Sequence, residues 1–183
     1  MCQIRRQPGA PTLPRKHART IASPVGCYLL VVLHVPVDVK SLVELGKRYP
    51  WPRPARCLSC RSPRLWGHGY VRRYFEGFVA PLWIRRLRCP DCRTVYTLRP
   101  DLFYRGFQYS FPTILSSLMA KITDGFWLPS IPRQNQQYWY RGLRLQALRL
   151  RNVPFPDRDT VTEIISSGFV PVSHSFNCAM LRL

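Results

Sequence analysis

Apolar and polar positions along this chain change period twice. Residues 27–35 carry a nearly unbroken apolar run, Cys27-Tyr28-Leu29-Leu30-Val31-Val32-Leu33, whose length and β-branched content predict a buried strand. Between Val37 and Arg48, Leu42, Val43 and Leu45 fit a short helix, and Pro50-Trp51-Pro52-Arg53-Pro54 then forces an extended link. From Arg56 to Tyr104 the texture becomes short apolar and aromatic pieces divided by Gly67, Gly69, Gly77, Pro81 and Pro90. That pattern predicts a small antiparallel sheet.

After Tyr109 the period becomes helical. Ser110 is a cap candidate, and Ile114, Leu115, Leu118, Met119 and Ile122 line one face until Gly125 ends the helix. Ser130 is a second cap candidate, opening a helix to about Leu150 that puts Trp139, Leu143 and Leu150 on one stripe. Arg133, Arg141, Arg144 and Arg151 gather on another stripe, which Leu145 and Leu148 interrupt. Thr160 and Glu163 fit a capping box for a third short helix.

The expected organisation is therefore α+β. Residues 1–24 form a disordered basic tail, 25–49 a strand and short helix, 50–105 the small sheet, 110–151 a helix pair, and 152–183 a tail with a short helix. One feature of the first segment has a second reading. Five basic residues and no acid precede Asp38, so the apolar run imitates a signal or transit peptide, although Pro36-Val37-Asp38 offers no small-residue cleavage site.

Charge changes the picture most. The 183 residues hold 28 Lys and Arg against 9 Asp and Glu, a net charge of +19. Nearly half of it, +9, falls between residues 53 and 105, where twelve arginines face only Glu76, Asp91 and Asp101. So large an imbalance disfavours a compact state unless a polyanion neutralises it, which points to nucleic acid ahead of an anionic membrane. No apolar run reaches the 18 residues of a membrane helix. The 18 prolines are about twice the usual ~5% and predict many loops and extended segments.

Seven cysteines are an odd number, which argues against a fully paired disulfide framework. Cys57, Cys60, Cys89 and Cys92 form C-x2-C-x28-C-x2-C. Two residues between cysteines let both thiolates of a tight turn face one tetrahedral site, and two such turns supply the four sulfurs that Zn²⁺ prefers at about 2.3 Å. The 28-residue spacer has room for two or three strands that return the second turn beside the first. This is a zinc-ribbon arrangement with one structural zinc and no open coordination position. Rubredoxin-like iron and a dithiol redox pair are the rival readings of the same cysteines. His68 is a turn or strand residue beside the four thiolates, and Cys2, Cys27 and Cys178 are ordinary free thiols.

Several runs together carry a resemblance. Pro50-Trp-Pro-Arg-Pro-Ala-Arg-Cys57-Leu-Ser-Cys60, Leu65-Trp-Gly-His-Gly-Tyr70, Ile84-Arg-Arg-Leu-Arg-Cys89-Pro-Asp-Cys92-Arg-Thr-Val-Tyr96 and Leu98-Arg-Pro100 resemble the amino-terminal zinc-ribbon region of bacterial insertion-sequence transposases. Residues 110–148 look like the helix-turn-helix that often follows it, so the resemblance covers roughly residues 50–150. It implies a DNA-binding protein of the bacterial cytoplasm and nucleoid. The pattern is broken at Arg61 and Arg93, which stand where Gly is common, so looser knuckle turns are expected. A strand-transfer site also needs three carboxylates holding two metals. After residue 101 only Asp124, Asp157, Asp159 and Glu163 remain, and no nucleophile or phosphate-loop motif appears. The expectation is a non-catalytic accessory or truncated relative, not an enzyme.

For nucleic acid, Arg72, Arg73, Arg85, Arg86 and Arg88 alternate with apolar neighbours and could track a phosphate backbone with their guanidinium forks. Tyr70, Tyr74, Trp83 and Tyr96 are either base-stacking platforms or sheet core. Arg133, Gln134, Asn135, Gln136 and Gln137 open the second helix, with Arg141 and Arg144 further along, and would read a major groove or else form a solvated helix start. Duplex DNA is the expected partner. RNA, an acidic protein partner in a transposition or transcription complex, and a separately encoded catalytic transposase chain remain open.

Overall fold

The computed structural model describes residues 30–174. A four-stranded mixed sheet and four α-helices make up the fold, which is α+β. The strands are β1 (Leu30–Val35), β2 (Trp66–Arg73), β3 (Leu82–Arg88) and β4 (Val95–Pro100). The helices are α1 (Val39–Leu45), α2 (Phe111–Met119), α3 (Arg133–Arg151) and α4 (Arg158–Ser166). Among the described residues no helix is long and apolar enough to cross a membrane.

The sheet order is β1-β4-β3-β2. β2, β3 and β4 form the expected antiparallel ribbon, with Trp66 opposite Arg88 and Leu87 opposite Tyr96. Gly67 to Tyr70 contains a bulge, and Gly69 (φ 74°) supplies the left-handed backbone there. The sheet is not purely antiparallel, however. β1 adds to the outer side of β4 in parallel, with Leu33 paired to Leu98. The apolar run that imitates a leader thus ends in a strand whose Leu33 and Val35 are fully buried; residues 27–29 of that expected strand, and the tail at 1–24, lie outside the described residues.

Two apolar clusters organise the molecule. The first gathers Leu33, Val35, Leu42, Leu65, Ile84, Leu87, Tyr96, Leu98 and Phe103 around the sheet. The second joins Tyr104, ahead of α2, to Ile114, Leu118, Trp139, Leu143, Ala147, Val161, Ile164, Val170 and Val172 from the three later helices and the segment after them. Glu76 ties the two together: its carboxylate accepts hydrogen bonds from the Ser110 amide (3.0 Å) and the Thr113 hydroxyl (2.9 Å) at the start of α2. The Arg99 guanidinium adds a second tie. It donates to the Phe103 (2.9 Å) and Phe107 carbonyls and lies 4.8 Å over the Phe75 ring. Burial and the nearby Arg73 charge lower its pKa to about 10. Arg99 is therefore a structural staple rather than one of the ribbon's free cations.

Helix ends follow the sequence in part. Asp38 caps α1 and Ser110 caps α2, each accepting an amide of the first turn. α2 continues into a π-helical turn, Ala120–Asp124, that stops at left-handed Gly125 (φ 77°). Ser130 does not cap α3; the helix starts after Pro132, whose fixed φ suits a helix entry without a side-chain cap. Asp157, not Thr160, caps α4: its carboxylate accepts from both the Thr160 amide (2.8 Å) and the Thr160 hydroxyl (2.6 Å). Residues 125–132 connect the π-turn to α3 and form a longer joint than the three to four residues of a helix-turn-helix, so α2 and α3 form a helical pair in the broader sense.

Candidate metal centre

Two turns build the site, and they are near copies. The Cys57 amide donates to the Ser62 carbonyl (2.7 Å), and the Cys89 amide donates to the Thr94 carbonyl (3.0 Å), five residues on in each case. The nearby Cys60 and Ser59 amides favour the thiolate at Cys57, and those of Cys92 and Asp91 do so at Cys89. Arg61 and Arg93 both take φ 63°. The expected loosening of the knuckles at these two positions does not occur, because both arginines adopt the left-handed backbone that glycine would supply.

The four sulfurs Cys57, Cys60, Cys89 and Cys92 lie within 4.8 Å of one another. Cys57 and Cys92 Sγ are 3.5 Å apart, and Cys60 and Cys89 Sγ 3.6 Å apart. A tetrahedron with metal–sulfur bonds of about 2.3 Å has edges of about 3.8 Å, so the cluster has the size of a tetrahedral thiolate cage. None of the four is in a disulfide. These residues could hold a metal ion. Cys57 and Cys89 are buried, whereas Cys60 and Cys92 form the open edge.

Surrounding groups hold the sulfurs in place. Tyr96, read from sequence as either platform or core, is core: 1% exposed, with its hydroxyl 3.1 Å from Cys57 Sγ. That hydroxyl also accepts from the Ser59 amide (3.1 Å) and lies 2.9 Å from Ser59 Oγ. The chain continues through Thr94 Oγ1 (3.3 Å) to Cys92 Sγ (3.2 Å). Alternation from Cys92 along the chain places Thr94 and Tyr96 on one side, the signal that could have identified them. On the outer face, Asp91 bridges the two knuckles by accepting from Ser62 Oγ and from Arg64, which is also its ion-pair partner.

These contacts split the thiol acidities. Burial raises the pKa of Cys57, but bonds from the Tyr96 hydroxyl and from the Cys60 and Ser59 amides outweigh it and bring the value down to about 6. For Cys60 the Ser62 amide acts to lower the value, while burial and the three neighbouring sulfurs push it up to about 12. Burial raises Cys89. Cys57 therefore ionises first, and an entering cation must displace protons from Cys60 and Cys89.

No family model, curated protein or solved structure matches the chain. Its chemistry has to be read from the residues themselves.

The arginines expected at a nucleic-acid surface fall into distinct groups. Arg72 and Arg73 are exposed on β2, with Arg72 5.9 Å from the Trp83 ring centre. Arg85 is half-buried and donates to the Tyr70 hydroxyl (2.6 Å), which itself donates to the Lys47 carbonyl. Arg86 and Arg88 are half-buried and flank Leu87, which faces Tyr96 across the sheet, so alternation puts both arginines on the opposite face. Tyr74 is 58% exposed, and Trp66, not among the expected stacking platforms, is 59% exposed.

On α3, Arg133, Gln134, Gln137, Arg141 and Arg144 are exposed and Asn135 is half-buried. Arg144 donates to the Pro154 carbonyl (3.2 Å) and lies 5.2 Å over Phe155. Gln136 is excluded from any groove-reading role because it is fully buried. Its carbonyl oxygen accepts from Ser117 Oγ (2.8 Å) and the Leu128 amide (2.9 Å), and its amide nitrogen donates to the Leu128 (2.8 Å) and Ile131 (2.7 Å) carbonyls. It pins the 125–132 connection to α2.

Proposed function

We propose that this protein is a non-catalytic, zinc-stapled DNA-binding module, in which Cys57, Cys60, Cys89 and Cys92 hold one structural Zn²⁺ and the arginines of the ribbon and α3 engage duplex DNA. Four thiolates fill a tetrahedral zinc and leave no position for water or substrate. The ion would supply folding free energy to a segment with a small core. On this reading the chain acts in the bacterial cytoplasm with the nucleoid, as an accessory related to transposase amino-terminal regions.

The observation that carries the reading is uncompensated charge. Among the described residues only two carboxylate ion pairs exist, Arg64–Asp91 and Arg151–Glu163. Two of the ribbon's three acids, Asp91 and Glu76, are engaged internally, and exposed Arg72, Arg73, Arg133 and Arg141 have no carboxylate ion pair among the described residues. Phosphate backbones neutralise such surfaces with release of counterions. The experiment is binding of the zinc-loaded protein to a fluorescent duplex between about 50 and 300 mM salt, with single-stranded DNA and duplex RNA in parallel. Tight low-salt binding with log affinity falling linearly in log salt supports the reading, and absence of binding at low salt refutes it. Equal or tighter binding of RNA would move the assignment to RNA.

A second reading has one observation of its own. Beside α3 lies a groove of about 510 Å³ lined by apolar Trp127, Tyr140, Leu145 and Leu148 together with basic Arg141 and Arg144. A lining both apolar and basic suits an acidic amphipathic segment of a protein partner. A partner captured by the protein and retained after nuclease treatment would favour this reading.

A further inference from the structure

The two knuckles share more than their cysteines. Each reads Arg-Cys-x-x-Cys-Arg, from Arg56 to Arg61 and from Arg88 to Arg93. The final arginine of each sits at φ 63°, the left-handed region that penalises a Cβ and leaves glycine unpenalised. Among the described residues the other non-glycine residue in that region is Asn152, a type that tolerates it. Residues held in such conformations cluster at functional sites and ligand clamps.

Packing does not explain the choice, since both side chains are exposed. Neither guanidinium has a carboxylate, hydrogen-bond or ring partner among the described residues. Asp91, two residues before Arg93, is taken by Arg64 and Ser62. Each arginine directly follows an exposed cysteine of the open edge, Cys60 or Cys92.

We propose that Arg61 and Arg93 form a two-pronged phosphodiester clamp at the open edge of the metal site, each holding one backbone phosphate of a bound nucleic acid. The clamp rests on the nucleic-acid reading above and adds to it a defined point of contact. Pairing the two knuckles across four sulfurs holds the backbones of Arg61 and Arg93 at one edge of the site, so two guanidinium forks are carried side by side for a phosphate backbone.

Glycine at these positions separates the roles, because it relaxes the backbone while removing the fork. The full-length zinc-loaded protein is compared with Arg61→Gly, Arg93→Gly and the double variant, with Arg61→Asn/Arg93→Asn as a second left-handed pair. Arg158→Ala serves as a remote loss of the same charge. Duplex binding is read by fluorescence anisotropy across salt, alongside zinc content and melting temperature. Each glycine variant should melt at the same or a higher temperature and keep its zinc. Its salt slope should fall by about 0.9, and its affinity at 0.15 M salt by about 5-fold, with about 30-fold for the double variant. Arg158→Ala should bind as the parent does. If the parent binds DNA and the glycine variants match its affinity and slope, the clamp is refuted alone. Loss of zinc with DNA binding retained would also overturn it, by making the arginines counter-charges of the thiolate site. Failure of the parent to bind removes the functional reading and the clamp with it.

Discussion

The hydroxyl of Tyr96 gives the sharpest single-atom test of the metal centre. In Tyr96→Phe the ring keeps its place among Leu87, Leu98 and the rest of the sheet core, so no cavity opens. What disappears is one oxygen 3.1 Å from Cys57 Sγ that also receives the Ser59 amide at 3.1 Å. Ser59 is exposed, so water replaces its lost acceptor. The uncompensated loss is the bond to sulfur. A hydrogen bond to a charged group contributes about 1.5–3 kcal/mol, and each 1.4 kcal/mol is tenfold in an equilibrium constant. The expected weakening of zinc binding is therefore about 10- to 100-fold, the range found for groups that support metal ligands. Competition against a chromophoric chelator measures it, with Tyr74→Phe, whose ring is exposed, as the silent control. A change below about twofold for Tyr96→Phe would mean that the hydroxyl does not support the bound sulfur.

Three further outcomes follow from other contacts. Because Cys57 is held near 6 while Cys60 and Cys89 are raised, zinc binding at pH 7 should release at least two protons, and affinity should fall more steeply once pH drops below 6 and Cys57 also takes a proton; calorimetry in buffers of different ionisation enthalpy reads this, and proton release near zero would contradict it. Gln136→Leu strands Ser117 and the backbone groups of Leu128 and Ile131, and should lower urea-unfolding stability by about 3–5 kcal/mol; adding Ser117→Ala should recover about 1 kcal/mol, whereas a single-variant loss below about 1 kcal/mol would show that the four bonds are replaced. Gly142→Ala places a Cβ 2.3 Å from the Val172 carbonyl oxygen, so the segment after α4 should lift from α3, with a loss of about 1–3 kcal/mol and faster hydrogen exchange across residues 170–174; unchanged exchange there would refute the contact.

Local signals in the sequence fared better than distant ones. The cysteine spacing, the period-two pieces between them and Ser110 before an apolar 3.6-residue stripe each act over a few residues, and all reappear in the fold. The parallel pairing of β1 with β4 joins residues 65 positions apart, and no local pattern encodes such a partner. Gln136 reads as a polar surface residue because its four partners come from α2 and from the connection folded over it. Thr160 and Glu163 imitate a capping box, yet Asp157 is a stronger acceptor three residues earlier and takes the Thr160 hydroxyl as well. In the site, the sulfurs are legible in the sequence and their supports are not: Tyr96 reads as core or platform with nothing to place its hydroxyl against Cys57, and no local pattern marks Arg99 as buried against Phe75 and two carbonyls.

The most direct measurement of the central claim is the metal content and thiol reactivity of the purified full-length protein. One zinc per chain, with Cys57, Cys60, Cys89 and Cys92 protected from alkylation until a chelator removes the metal, is the predicted result, and Cys89→Ser should lose both the zinc and the fold of residues 56–104. A protein that is folded across those residues without metal, with all four thiols reactive, would contradict it, and iron in place of zinc would overturn the structural-zinc assignment.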